Sequence, residues 1–131
     1  MNIVVDTDIL VSALWSPGRN ATDILAAVFA RQFTVCYDYR ILDEYNRVLH
    51  YPKLRFEEWE IESILDPLVK NGISVIAPPV GWVDFGRDED DKKFYEVAKY
   101  CYATLITGNL KHFPKDPDII PPAEFCLRYL H

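Results

Sequence analysis

Ile3-Val4-Val5-Asp6-Thr7-Asp8 is the stretch on which the fold turns. An unbroken apolar, β-branched run over residues 2–6 suits a central strand covered on both faces. The acid that ends it has two readings. Asp6 either presents a carboxylate at the rim of a sheet or caps the turn that follows.

Working outward, residues 8–14 read as a short helix and Pro17-Gly18 as punctuation. A helix is predicted over 20–31, with Asn20 as N-cap and Ile24, Leu25, Val28 and Phe29 as its apolar stripe. Phe33 to Tyr37 form a second strand. A helix follows over 39–49, burying Ile41, Leu42, Tyr45, Val48 and Leu49, and Tyr51-Pro52 closes it. The next helix, 56–71, carries Trp59, Ile61, Ile64, Leu65, Leu68 and Val69; Pro67 should kink or divide it, and Asn71-Gly72 should end it. Residues 73–76 make a third strand. A loop from Pro78-Pro79 runs into Asp88-Glu89-Asp90-Asp91 and then a helix burying Phe94, Val97 and Ala98. Thr104 to Thr107 form a fourth strand, Gly108-Asn109 opens a short helix, and a proline-rich connection leads to a last element at 123–130 with Phe125, Leu127 and Leu130 apolar. Strands alternate with helices too long for hairpin loops, which predicts an α/β fold: a three-layer α/β/α sandwich around a mostly parallel sheet. No repeat or linker interrupts residues 1–131, read as one domain.

Twenty acidic residues against fourteen Lys and Arg give a formal charge of -6. That argues against holding nucleic acid by bulk attraction, but not against a nuclease whose carboxylates collect cations. Three cysteines without CxxC spacing indicate a reducing, cytoplasmic setting and no thiolate metal site. Asp6 and Asp8 interrupt the first apolar run, so no signal peptide is expected, and no run is long enough to predict a membrane span.

Ligand sites in open α/β sheets lie beyond the carboxyl ends of the strands. By that rule Asp6 ends the first strand and Asn109 lies just past the fourth. Glu44 sits on the helix after the second, Asp91 opens the helix after the third, and Asp88 is one turn ahead of it. Several carboxylates on one rim suit Mg²⁺ or Mn²⁺ and metal-dependent phosphoryl transfer. Each residue also has a plainer reading. Asp8 could be an N-cap, Glu44 a solvated helix position, and Asp88 and Asp91 helix N-terminal acids. Thr7 and Thr107 could orient a carboxylate or a water, or make only local turn bonds.

Read together, these blocks resemble the PIN-domain superfamily, and in particular the toxin components of toxin–antitoxin systems. Ile3 to Leu14 resembles the family's opening strand and turn. Glu44 matches its second acidic position. Arg87-Asp88-Glu89-Asp90-Asp91-Lys92-Lys93-Phe94 resembles its third acidic block, and Leu105 to Phe113 its last motif. The resemblance implies RNA cleavage with Mg²⁺ or Mn²⁺, a homodimer and a protein antitoxin. It assigns Asp6, Glu44 and Asp91, with Asp88, to the metal, and Thr7 and Asn109 to positioning. The family often has Asp where this chain has Asn109, which motivates a second reading as a weakened RNA- or protein-binding module. A third is a haloacid-dehalogenase-like phosphatase with Asp6 as nucleophile and Asp8 as acid/base. Arg19, Arg40, Arg47, Arg87, Lys111 and His112 are candidate RNA-backbone contacts, Arg87 and Lys111 foremost.

Overall fold

Ile3, Val4 and Val5 are each 0% exposed. Successive strand side chains point to opposite faces, so complete burial of three in a row requires cover on both sides. The computed structural model describes residues 1–130 and supplies that cover; His131, the end of the expected 1–131 domain, lies outside the described residues. Its elements are β1 (Asn2–Val5), α1 (Thr7–Trp15), α2 (Asn20–Phe29), β2 (Thr34–Tyr37), α3 (Tyr39–Leu49), α4 (Glu58–Asn71), β3 (Ile73–Ser74), α5 (Lys92–Tyr100), β4 (Thr104–Ile106), β5 (Ile119–Ile120) and α6 (Pro122–Tyr129). All strand pairs are parallel, in the order β3-β2-β1-β4-β5. The fold is α/β, a five-stranded parallel sheet with six helices.

The chain builds outward from β1 to β2 and β3, then returns through α5 to lay β4 on the other side of β1. This reversal places a crevice at the carboxyl ends of β1 and β4. The Tyr45 hydroxyl of α3 donates to the carbonyl of Val5, pinning the last residue before Asp6 from within the core.

Helix α3 forms because Asp38 caps it, accepting from the Ile41 N–H at 3.0 Å, and because Ile41, Tyr45 and Leu49 repeat every fourth residue and are buried. Helix α4 starts on a reciprocal capping box between Glu57 and Glu60. Pro67 does not divide it. The carbonyl that loses its bond is that of Ser63, on an exposed turn where water can serve it. Ile61, Ile64, Leu65 and Leu68 are its buried stripe, whereas Trp59, expected there, is 69% exposed. Position 59 falls almost opposite 61–68 at the helical period, and Val69 lies at the edge of the arc, partly exposed.

Other local expectations need correction. Asn20 is the first residue of α2 rather than its cap; Arg19 holds the cap position without a side-chain bond. β3 stops at Ser74, and Leu127 of α6 is exposed. β5 lies inside the stretch read as a connection, since a strand of two residues is too short to show a period. Among the described residues no helix is long and apolar enough to cross a membrane.

Gly72 does end α4, but its φ of -85° is open to any residue. Close approach is what demands glycine: a Cβ would lie 2.6 Å from the Leu68 carbonyl oxygen and 2.8 Å from that of Val35. Gly72→Ala is expected to lower stability by about 1–3 kcal/mol, measured by urea denaturation. An unchanged midpoint would show that the α4–β2 contact yields freely.

Candidate active site

Val5 pairs with Ile106 across the β1–β4 border, and the Asp6 N–H donates to the Ile106 carbonyl at 3.0 Å. Immediately beyond, the Thr107 hydroxyl donates to Asp6 Oδ2 at 2.7 Å, while the Asn109 N–H donates to that hydroxyl at 3.0 Å. Asp8, in the first turn of α1, accepts from the Gly108 N–H at 3.0 Å. A side chain at Gly108 would displace Asp8, because a Cβ would stand 2.5 Å from Asp8 Oδ2. The two turns that follow β1 and β4 are thus fastened to each other.

Glu44 projects from α3 to the same rim. Thr7 donates its hydroxyl to Glu44 Oε2, and Lys93 Nζ lies 2.8 Å from Glu44 Oε1. Asp91, at the start of α5, faces the short helical turn Leu110–His112: His112 Nδ1 lies 2.9 Å from Asp91 Oδ2, with the ring nitrogen donating to an ionised carboxylate. The other ring nitrogen lies 4.0 Å from Asp88.

The electrostatics are strained. Burial first, then the charge of Asp8 and those of Asp91 and Glu44, push the Asp6 carboxyl up to about 7 against the opposing Thr107 hydrogen bond. Burial raises Asp8 as well, opposed by the Gly108 N–H, and it raises Asp91, opposed by His112. Carboxylates that resist ionisation side by side are what a divalent cation relieves, so the donor set fits one. Among the described residues, Asp88, Asp91 and His112 have donor atoms within 4.8 Å of one another. Oxygen with one imidazole suits Mn²⁺ as well as Mg²⁺.

A family model described as PIN domain matches residues 2–111, which include all of these side chains except His112, one position beyond the match. The chain belongs to the PIN-domain family. It is 34% identical over 110 residues to an uncharacterised protein of Methanocaldococcus jannaschii, covering 83% of this chain and 71% of that one. Its fold is similar to the crystal structure of VapBC2 from Rickettsia felis bound to a DNA fragment from their promoter, with a TM-score of 0.57 and 18% identity over 92% of this chain and 97% of that one.

PIN membership sets aside the covalent-phosphatase reading of Asp6. Of the residues singled out from the sequence, Asp6, Thr7, Glu44, Asp88, Asp91 and Asn109 all reach this rim, in three linked groups: Asp6 with Thr107 and Asn109, Thr7 with Glu44 and Lys93, and Asp91 with His112 and Asp88. Asp6 and Glu44 lie outside the close donor group of Asp88, Asp91 and His112. Asp8 does not cap α1: Asp6 holds the cap position, and Asp8 ties the two turns together instead. Arg87 and Lys111 are exposed and make no ion pair among the described residues. Arg40 is spoken for by Asp38 and Glu96, and Arg47 turns to Tyr51 and Asp43.

Sequence reasoning missed Lys93 and took His112 only as a backbone contact. Both carried a signal. Lys93 follows Asp91 by two positions at a helix start, and His112 follows Asn109 by three, the spacing of one helical turn.

Proposed function

We propose that this PIN-domain protein is a Mg²⁺- or Mn²⁺-dependent endoribonuclease, the toxin of a toxin–antitoxin pair, working in the cytoplasm as a homodimer held in check by a protein antitoxin. The observation that carries the reading is the meeting of buried Asp6 with half-buried Asp8, Glu44 and Asp91 at the sheet's switch point, where the charges oppose one another. The likeness to VapBC2 supports the paired setting.

Asp6, Glu44 and Asp91, helped by Asp88, are the residues that would hold the metal. A bound cation there supplies a water of lowered pKa and offsets charge on phosphoryl oxygens. The chain's own groups arrange the rest. Thr107 holds Asp6 by Oδ2 and Thr7 holds Glu44 by Oε2, so neither carboxylate is free to rotate. Lys93 compensates Glu44 and is a second point of attraction for a phosphate. Asn109 positions water with a neutral amide, and exposed Arg87 and Lys111 meet the RNA backbone.

The test is cleavage of a mixed panel of end-labelled RNAs with Mg²⁺, Mn²⁺ or EDTA. Expected products carry 5′-phosphate and 3′-hydroxyl ends, and Asp91→Asn should reduce the rate by at least about 100-fold, as loss of about 3 kcal/mol of transition-state stabilisation implies. Cleavage in EDTA, or an unimpaired Asp91→Asn protein, would overturn the assignment. Tight RNA or protein binding without cleavage by any metal form would favour the weakened binding module that Asn109 suggests.

A further inference from the structure

Beside the acidic rim lies a second feature that metal chemistry does not use. A pocket of about 610 Å³ opens between α1, the start of α2 and the segment around Leu54, with Asp8 and Gly108 at one end and Trp15 and Arg19 at the other. That volume falls in the range of small-molecule sites. Asp8, Ser12 and Trp15 follow one another at helical spacing along one face of α1. The pocket therefore continues directly from the carboxylate cluster.

Trp15 is 59% exposed, yet it is not loose: the Phe56 ring meets it edge-on, with centroids 6.0 Å apart at 76°. Seven helical steps lead from Asp8 to Trp15, a rise of about 10 Å, or roughly three stacked nucleotides and fewer in an extended strand. Of the parts of a polynucleotide, the uncharged base suits a pocket with an acidic floor and an indole wall. Its phosphate suits the exposed guanidinium of Arg19 at the start of α2.

We infer that this pocket is a nucleobase subsite, in which an unpaired base of single-stranded RNA stacks on Trp15 while Arg19 engages an adjacent phosphate, so that Trp15 selects which bond reaches the acidic rim. The inference rests on the ribonuclease reading. It adds a specificity-determining residue to it.

The test uses the full chain with Trp59→Phe and Trp82→Phe, two exposed positions, so that Trp15 is the remaining indole. Short oligo(A) and oligo(U) RNAs are titrated in Ca²⁺ and in EDTA, with inorganic phosphate as the control. Saturable quenching of Trp15 by oligonucleotide but not by phosphate is expected. In anisotropy assays with all three indoles present, Trp15→Ala should weaken binding about 5- to 100-fold, with Trp15→Phe close to the parent. Arg19→Glu, which leaves the Trp15–Phe56 contact in place, should also weaken binding and guards against misreading a folding defect. Binding with unchanged Trp15 emission, or equal binding by Trp15→Ala, overturns the subsite. Quenching by a basic synthetic peptide and not by RNA overturns it in favour of a protein segment. Quenching by RNA without metal-dependent cleavage sinks the ribonuclease reading and leaves the subsite standing. Cleavage whose cut positions and KM ignore Trp15→Ala sinks the subsite alone.

Discussion

Asp6→Asn is expected to make the metal-free protein more stable at neutral pH while abolishing metal-dependent RNA cleavage. The folded-state carboxyl is raised to about 7 from 3.8 by burial, then by Asp8, Asp91 and Glu44. Between those values the folded protein binds more protons than the unfolded chain, so stability falls as pH rises. The stability that depends on Asp6 is fully present below about pH 4 and is lost progressively as pH climbs through about 7, with a ceiling of about 4 kcal/mol for a displacement of that size. An asparagine keeps the acceptor that Thr107 needs and removes the charge. In EDTA, the denaturation midpoint of the parent should drop with rising pH, while that of the variant should drop less, since Asp8 and Asp91 are raised in the same direction. Mn²⁺ should restore the parent and leave the variant unmoved. A variant less stable than its parent at neutral pH in EDTA would mean that Asp6 carries no such strain.

Arg40→Met should cost about 3–5 kcal/mol, because it strands two buried carboxylates without their cation. Asp38 and Glu96 are 2% and 4% exposed, and Arg40 reaches both at 2.7–2.8 Å. The remaining oxygens are also committed. Asp38 caps α3, which carries Glu44, and Glu96 accepts from the Val80 N–H at 2.8 Å, steadying the chain on its way to Asp88 and Asp91. The loss should therefore appear in urea denaturation and also in weakened metal binding. Adding Asp38→Asn and Glu96→Gln to Arg40→Met should recover a large part of the stability, since no charge is then left buried. Failure to recover would mean that Arg40 acts through its packed stem and not through charge.

Arg40 also shows where reading along the chain stops. As one arginine among several exposed-looking positions it passes for an RNA contact. Its partner Glu96 sits fifty-six positions away on another helix, and nothing local announces that this glutamate is buried. Asp38 was more accessible to inference, as an acid directly before a helix is a cap signal. Trp59 erred in the opposite sense: hydrophobicity suggested a buried stripe, but the helical period turns it outward. Pro67 suggests a kink or a break because the rule concerns the lost hydrogen bond, and the rule does not specify which face of the helix is wet.

What the sequence determined by itself is the alternation of strand and helix, the parallel sheet this forces, and the rim to which Asp6, Glu44, Asp91 and Asn109 belong. Those follow from neighbours in the chain: apolar runs, periodicity, caps, and the rule that helical crossovers leave successive strands pointing the same way. The tertiary structure decided which of these groups touch. Setting β4 beside β1 brings Thr107 onto Asp6 across 101 positions, His112 onto Asp91 and Gly108 against Asp8, and packing α5 against α3 brings Lys93 onto Glu44. Side-chain pairing at that range depends on strand order and on depth of burial, and both arise from the packing of the whole chain rather than from any stretch of it.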